Sequence, residues 1–123
     1  MSSIYTVRVP VTTTGAAGSA TGTATTETLH GFLLDVYFDF HATAPATTDT
    51  TIAYALRGGN ILAVANSGTD ALLTPRVKPV DNANAAITNA HERFPLNDAL
   101  TVSLAQSDAL DPAVVVYLRI LRP

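Results

Sequence analysis

The sequence predicts an all-β fold, a β-sandwich of jelly-roll type with seven or eight antiparallel strands and one long proline-containing surface segment. Three observations predict it. Apolar residues recur with period two in short runs, clusters of Gly, Pro, Asn and Asp separate those runs, and almost no stretch carries the 3.6-residue period of an amphipathic helix. At 123 residues the chain can bury one core, so residues 1–123 form a single domain, and its 47% of hydrophobic residues is too high for a disordered chain.

The first strand covers residues 4–11, with Tyr5, Val7, Val9 and Val11 on one face and Thr6, Arg8 and Pro10 on the other. Pro10 cannot donate to a ladder, which places this strand at an edge. Gly15, Gly18 and Gly22 then mark a long hairpin tip that returns into a Thr-rich strand over residues 21–26. The run LHGFLLDVYFDF, Leu29–Phe40, is predicted to be the central strand. Burying the unpaired carboxylates of Asp35 and Asp39 would cost several kcal/mol, so Phe32, Leu34, Val36, Phe38 and Phe40 are expected to point inward.

Residues 50–57 alternate through Ile52, Tyr54 and Leu56, and Gly58-Gly59-Asn60 joins them to the run 61–65 as an antiparallel hairpin. Alternation then breaks down over residues 66–95, where Pro75, Pro79 and Pro95 punctuate a polar stretch. A short strand near residues 72–77 and a helical turn near residues 83–89 are expected there, because long structureless loops are uncommon in compact domains. Residues 99–105 resume the period through Leu100, Val102 and Leu104. The last strand, residues 113–121, turns Val114, Val116, Leu118 and Ile120 one way, and these two strands are read as a closing hairpin.

Charged residues make up only 14% of the chain, against roughly a quarter in an average soluble protein, so part of the surface is expected to be covered by self-association or docking. The formal net charge of −3 gives no general attraction for nucleic acid or anionic membranes. With no cysteine there is neither a disulfide nor a thiolate ligand. The start of the chain lacks a basic, then apolar, leader, and no run approaches the ~20 apolar residues of a membrane span, so cytoplasmic synthesis and retention is the expectation.

Catalytic chemistry would have to draw on His30, His41 and His91. Asp35, Tyr37, Asp39 and His41 fall on one face of the central run, at a spacing that could hold a divalent cation, but the polar face of a half-buried strand looks the same. No metal or cofactor is assigned. Neither a nucleophile elbow nor a phosphate-binding loop is present, and the chain is read as a non-enzyme. Two features point to a partner instead. Arg76 and Lys78, between Pro75 and Pro79, form the one local basic cluster, readable as a docking arm or as a solvated loop. Arg93 and Phe94 pair a cation with an apolar anchor, unless Phe94 seals the core.

Residues 11–26, the Leu29–Phe40 run, TPRVKPVDNANAAI at residues 74–87 and FPLNDALTVSLAQSD at residues 94–108 together resemble small virion-associated proteins of tailed bacteriophages. The resemblance implies a capsid decoration or cement protein, often trimeric, bound outside an icosahedral head and bridging major capsid protein subunits. It would be made in the host cytoplasm and located on the capsid exterior. Pro75, Arg76, Lys78, Pro79, Arg93 and Phe94 would be the interface residues. Another virion part (tail, adaptor or spike) and a carbohydrate- or receptor-binding sandwich are the alternatives.

Overall fold

Nine strands form among the described residues, the longer ones where apolar residues alternate: β1 (Ser3–Val11), β2 (Ala20–Thr25), β3 (Leu29–Phe40), β4 (Asp49–Tyr54), β5 (Asn60–Val64), β6 (Ala71–Leu73), β7 (Pro95–Asp98), β8 (Leu100–Ser107) and β9 (Val114–Arg122). The computed structural model describes residues 3–123, so Met1 and Ser2, with which the leader expectation begins, lie outside the described residues. The strands form two antiparallel sheets that pack as a sandwich. The first runs β1-β9-β3-β6, with β7 also paired to β3, and the second runs β2-β8-β4-β5. All pairings are antiparallel.

Apart from the β4–β5 hairpin and the β6–β7 pair, successive strands therefore cross between sheets rather than fold back on themselves, which is the jelly-roll arrangement. Two expected hairpins are corrected by this. β1 and β2 lie in different sheets, although Thr14 and Thr21 bridge at the corner through two backbone hydrogen bonds of 2.9 and 3.0 Å. β8 and β9 are likewise separated, β9 lying between β1 and β3. The two crossings are tied together: the buried Thr13 hydroxyl accepts from Leu110 N–H at 3.0 Å and donates to the Asp108 carbonyl. The β4–β5 hairpin forms as expected, but β4 ends at Tyr54 and leaves Leu56 88% exposed.

One core cluster runs between the sheets. It includes Val9, Val11, Leu33, Val36, Phe38, Ile52, Leu100, Val102, Val114, Val116, Leu118 and Ile120. In the last strand the face formed by Val114, Val116, Leu118 and Ile120 is the inward one and is buried throughout. In β3 the inward face changes parity midway: Leu29 and Leu33 are buried before the change and Val36, Phe38 and Phe40 after it. The cause is a β-bulge. Leu33 pairs with Ile120 and Asp35 with Arg119, so Leu34 is an extra residue, and one extra residue exchanges the faces of everything before it. Phe32, expected inside, consequently stands on the outer face.

β6 and β7 complete the picture at the same edge. Leu73 pairs with Val36 and Pro95 with Phe32, so the two short strands are halves of one strand laid along β3 and interrupted opposite the bulge. Residues 74–94 leave the sheet through that interruption.

Candidate docking site

The excursion is a folded finger rather than an extended arm. Val77 and Glu92 exchange two backbone hydrogen bonds of 2.8 Å, and Ile87 N–H donates to the Pro79 carbonyl at 3.1 Å. At the tip the Asp81 carboxylate accepts from Ala83 N–H (2.8 Å) and Ala85 N–H (3.0 Å). This local side-chain bonding replaces the helical turn expected over residues 83–89. Asn84 and Asn89 stand at φ +64° and +60°, a conformation that Asn tolerates better than most residues.

At its root the finger is clipped to the bulge. Arg76 donates from Nη1 to the carbonyl of the bulged Leu34 (3.1 Å) and to the Pro75 carbonyl (2.8 Å), while Leu33 N–H donates to the Phe94 carbonyl (3.0 Å). A bulge leaves β3 backbone groups without a ladder partner, and the finger root supplies partners to both. Periodicity alone could not reveal this coupling, because its bonds to β3 join positions 42 residues apart or more.

The residues singled out from the sequence separate into two sets. Pro75 is buried and Pro79 half-buried, so the prolines shape the root, while Arg76, Lys78 and Arg93 are exposed. Phe94 packs against the core cluster and lines a shallow cleft with Tyr54, Arg57, Gly58, Val77 and Pro95. Arg93 turns the other way. Together with Phe32, Arg76, His91 and Glu92 it lines an open cleft of about 450 Å³ on the first sheet's side of the finger. Among the described residues the one ion pair joins Arg119 to Asp35, so Arg76, Lys78 and Arg93 form no ion pair with any described carboxylate. Further along the finger, Val80 and Ile87 are exposed.

The polar row once readable as a cation site is taken apart by the fold. Asp35 is only 7% exposed and paired with Arg119, correcting its expected place on a solvated face. His41 lies beyond β3, where its Nδ1 is 3.1 Å from Thr43 N and 2.9 Å from Thr43 Oγ1. Among the described residues no group of three or more His, Asp or Glu side chains comes together as a metal site. Most other carboxylates hold loops: Asp98 accepts from Leu56 and Arg57 N–H, Asp70 from Phe40 N–H, Asp49 from Asn66 N–H and Asp108 from Gly18 N–H.

Phe32 is a residue that sequence reasoning misplaced. Gly31, at φ +122°, was the available signal: a Cβ there would lie 2.2 Å from the Leu121 carbonyl oxygen, so the chain needs glycine where β3 approaches β9 most closely. Among the described residues, no helix is long and apolar enough to cross a membrane. No family model, curated protein or solved structure matches the chain.

Proposed function

We propose that this chain is a non-catalytic structural protein of a virion, a capsid decoration or cement protein that docks on the outside of an icosahedral phage head and bridges major capsid subunits. The docking part of this reading is carried by the finger, which presents Arg76, Lys78 and Arg93 without an ion pair to any described carboxylate beside exposed Val80 and Ile87. Cations next to apolar anchors on an element clipped to a packed sandwich suit a partner surface that is acidic and partly apolar. The virion part rests on the sequence resemblance, and the jelly-roll topology is compatible with it, as it is with lectin-like domains.

Cryo-electron microscopy of the particle carrying this chain is expected to place its density on the shell exterior with the finger against the shell. The triple variant Arg76→Glu, Lys78→Glu, Arg93→Glu is expected to lower occupancy while the free protein stays folded. Particles that lack the chain by mass spectrometry would refute the reading. A second reading, sugar binding, is favoured by the outward-facing pair Tyr37 and Tyr117, whose ring centroids lie 6.3 Å apart. Hits on a glycan array that vanish in Tyr37→Ala would select it.

A further inference from the structure

The outer face of the first sheet is laid out in rows by the strand register. Ile4, Leu121, Phe32 and Pro95 form one row, Thr6, Arg119 and Asp35 the next, Arg8, Tyr117, Tyr37 and Leu72 a third, and Pro10, Val115 and Asp39 a fourth. Four of the seven exposed large hydrophobic residues among those described lie here: Ile4 at 58% exposure, Leu72 at 63%, and Phe32 and Tyr37 at 38% each. The others sit on the finger or at the β4–β5 turn. A shallow hollow lined by Thr6, Asp35, Tyr37, Leu72, Tyr117 and Arg119 occupies the middle.

The face is also electrically polarised across its strands. Arg119 and Asp35 neutralise each other at the centre. On the β1 side stands Arg8, exposed and without an ion-pair partner. On the β3/β6 side stand Asp39 and Asp70, close enough to the Tyr37 phenol to raise its pKa, Asp70 most strongly. A surface that is positive at one edge and negative at the other is complementary to itself when a two-fold axis runs along the strands midway between β9 and β3. The β1 edge of one copy then covers the β3/β6 edge of the other, and each Arg8 comes against the Tyr37 ring and the Asp39 and Asp70 carboxylates of its mate.

We propose that this face pairs with a second copy of the same chain in an isologous two-fold dimer, with the reciprocal Arg8 contact to Tyr37, Asp39 and Asp70 setting its register. Sheets packed face to face keep their strands within about 30° of parallel, which this axis satisfies. Four strands at about 4.8 Å and seven residues at roughly 3.3 Å give a patch near 20 by 23 Å, or about 450 Å² in plan. Side-chain relief brings that to the lower end of specific interfaces, about 600 Å² per partner, so the pair is a reversible one. The dimer does not rest on any role on a shell, although Phe32, at the end of its first row, also lines the cleft at the finger root.

Sedimentation velocity on the full chain, from about 10 μM to 1 mM, is expected to show a reversible monomer–dimer equilibrium. Arg8→Asp and Leu72→Asp should each weaken it by about tenfold or more, and Arg8→Asp combined with Asp39→Arg should recover most of the loss. All three positions are exposed, and circular dichroism checks that each variant is folded. A monomer at every concentration overturns the proposal, as does a trimer. A dimer indifferent to both single variants places the interface on another face and overturns it equally.

Discussion

The two outer faces of the sandwich have the same backbone geometry and opposite chemistry. On the second sheet, Thr23, Ser103, Thr51 and Ala63 follow one another across β2, β8, β4 and β5, and Thr25, Thr101 and Ala53 form the next row. The first sheet carries Ile4, Phe32, Tyr37, Leu72 and the ion pair of buried Asp35 with exposed Arg119 in the corresponding places. Both faces stand outside equally well packed strands, so the fold does not require the difference. Threonine and serine satisfy a strand's preference for branched or small side chains while keeping it wettable. The first sheet's side chains add apolar area and directional charge that such a surface does not need, and the proposed pairing rests on that difference.

That contrast can be broken at several points. The largest expected effect is on the first sheet, where Gly31→Ala drives a Cβ into the Leu121 carbonyl at a positive φ; it should cost more than about 2 kcal/mol in urea unfolding. Arg119→Met should cost about 1–2 kcal/mol by the same measurement, because the Asp35 carboxylate stays buried without its guanidinium, and the exposed side of Arg119 limits the loss. On the inner face of the second sheet, Thr50 is buried and its hydroxyl has no hydrogen-bond partner among the described residues, so Thr50→Val is expected to stabilise by about 1 kcal/mol.

A tie between the sheets gives a pH test. Tyr54 on β4 donates its hydroxyl to the Pro95 carbonyl of β7 at 2.7 Å. Burial raises the phenol pKa above its ordinary value of 10.0, with Arg57 opposing and Asp98 adding to the rise. With the folded pKa above the unfolded one, this stabilisation is complete below pH 10 and is lost as pH rises through the folded value. Tyr54→Phe should cost about 1 kcal/mol at neutral pH, and the difference from the parent should shrink in unfolding curves taken at rising alkaline pH. The smallest effect belongs to the outer face of the second sheet: Thr51→Val and Ser103→Ala should each stay within about 0.5 kcal/mol in thermal melts.

Local pattern carried much of this architecture. The alternation in residues 113–121 separated the two faces of β9, Pro10 put β1 at an edge, and Gly58-Gly59 announced the β4–β5 turn. The same alternation failed within β3, because one inserted residue at Leu34 is invisible to a period of two until the partner strand fixes the register. The candidate site was only partly legible. Arg76 and Lys78 stood out as a proline-flanked basic cluster and Arg93 as a cation beside an apolar residue, whereas Phe32 was assigned to the core and β7 was not recognised, since four residues beginning with proline carry too little periodicity.

By itself the sequence determined that the chain is all-β, where most strands lie and which side chains of β9 share a face, since each follows from the two-residue repeat of an extended backbone and needs only neighbours along the chain. Tertiary structure decided which strands share a sheet, that Asp35 is paired rather than solvated, and that residues 74–94 form a finger seated on a bulge. Those outcomes depend on contacts between residues far apart in the chain. Glycine- and threonine-rich corners turn a strand back or carry it across to the other sheet equally well, and only the packed core between the sheets selects one.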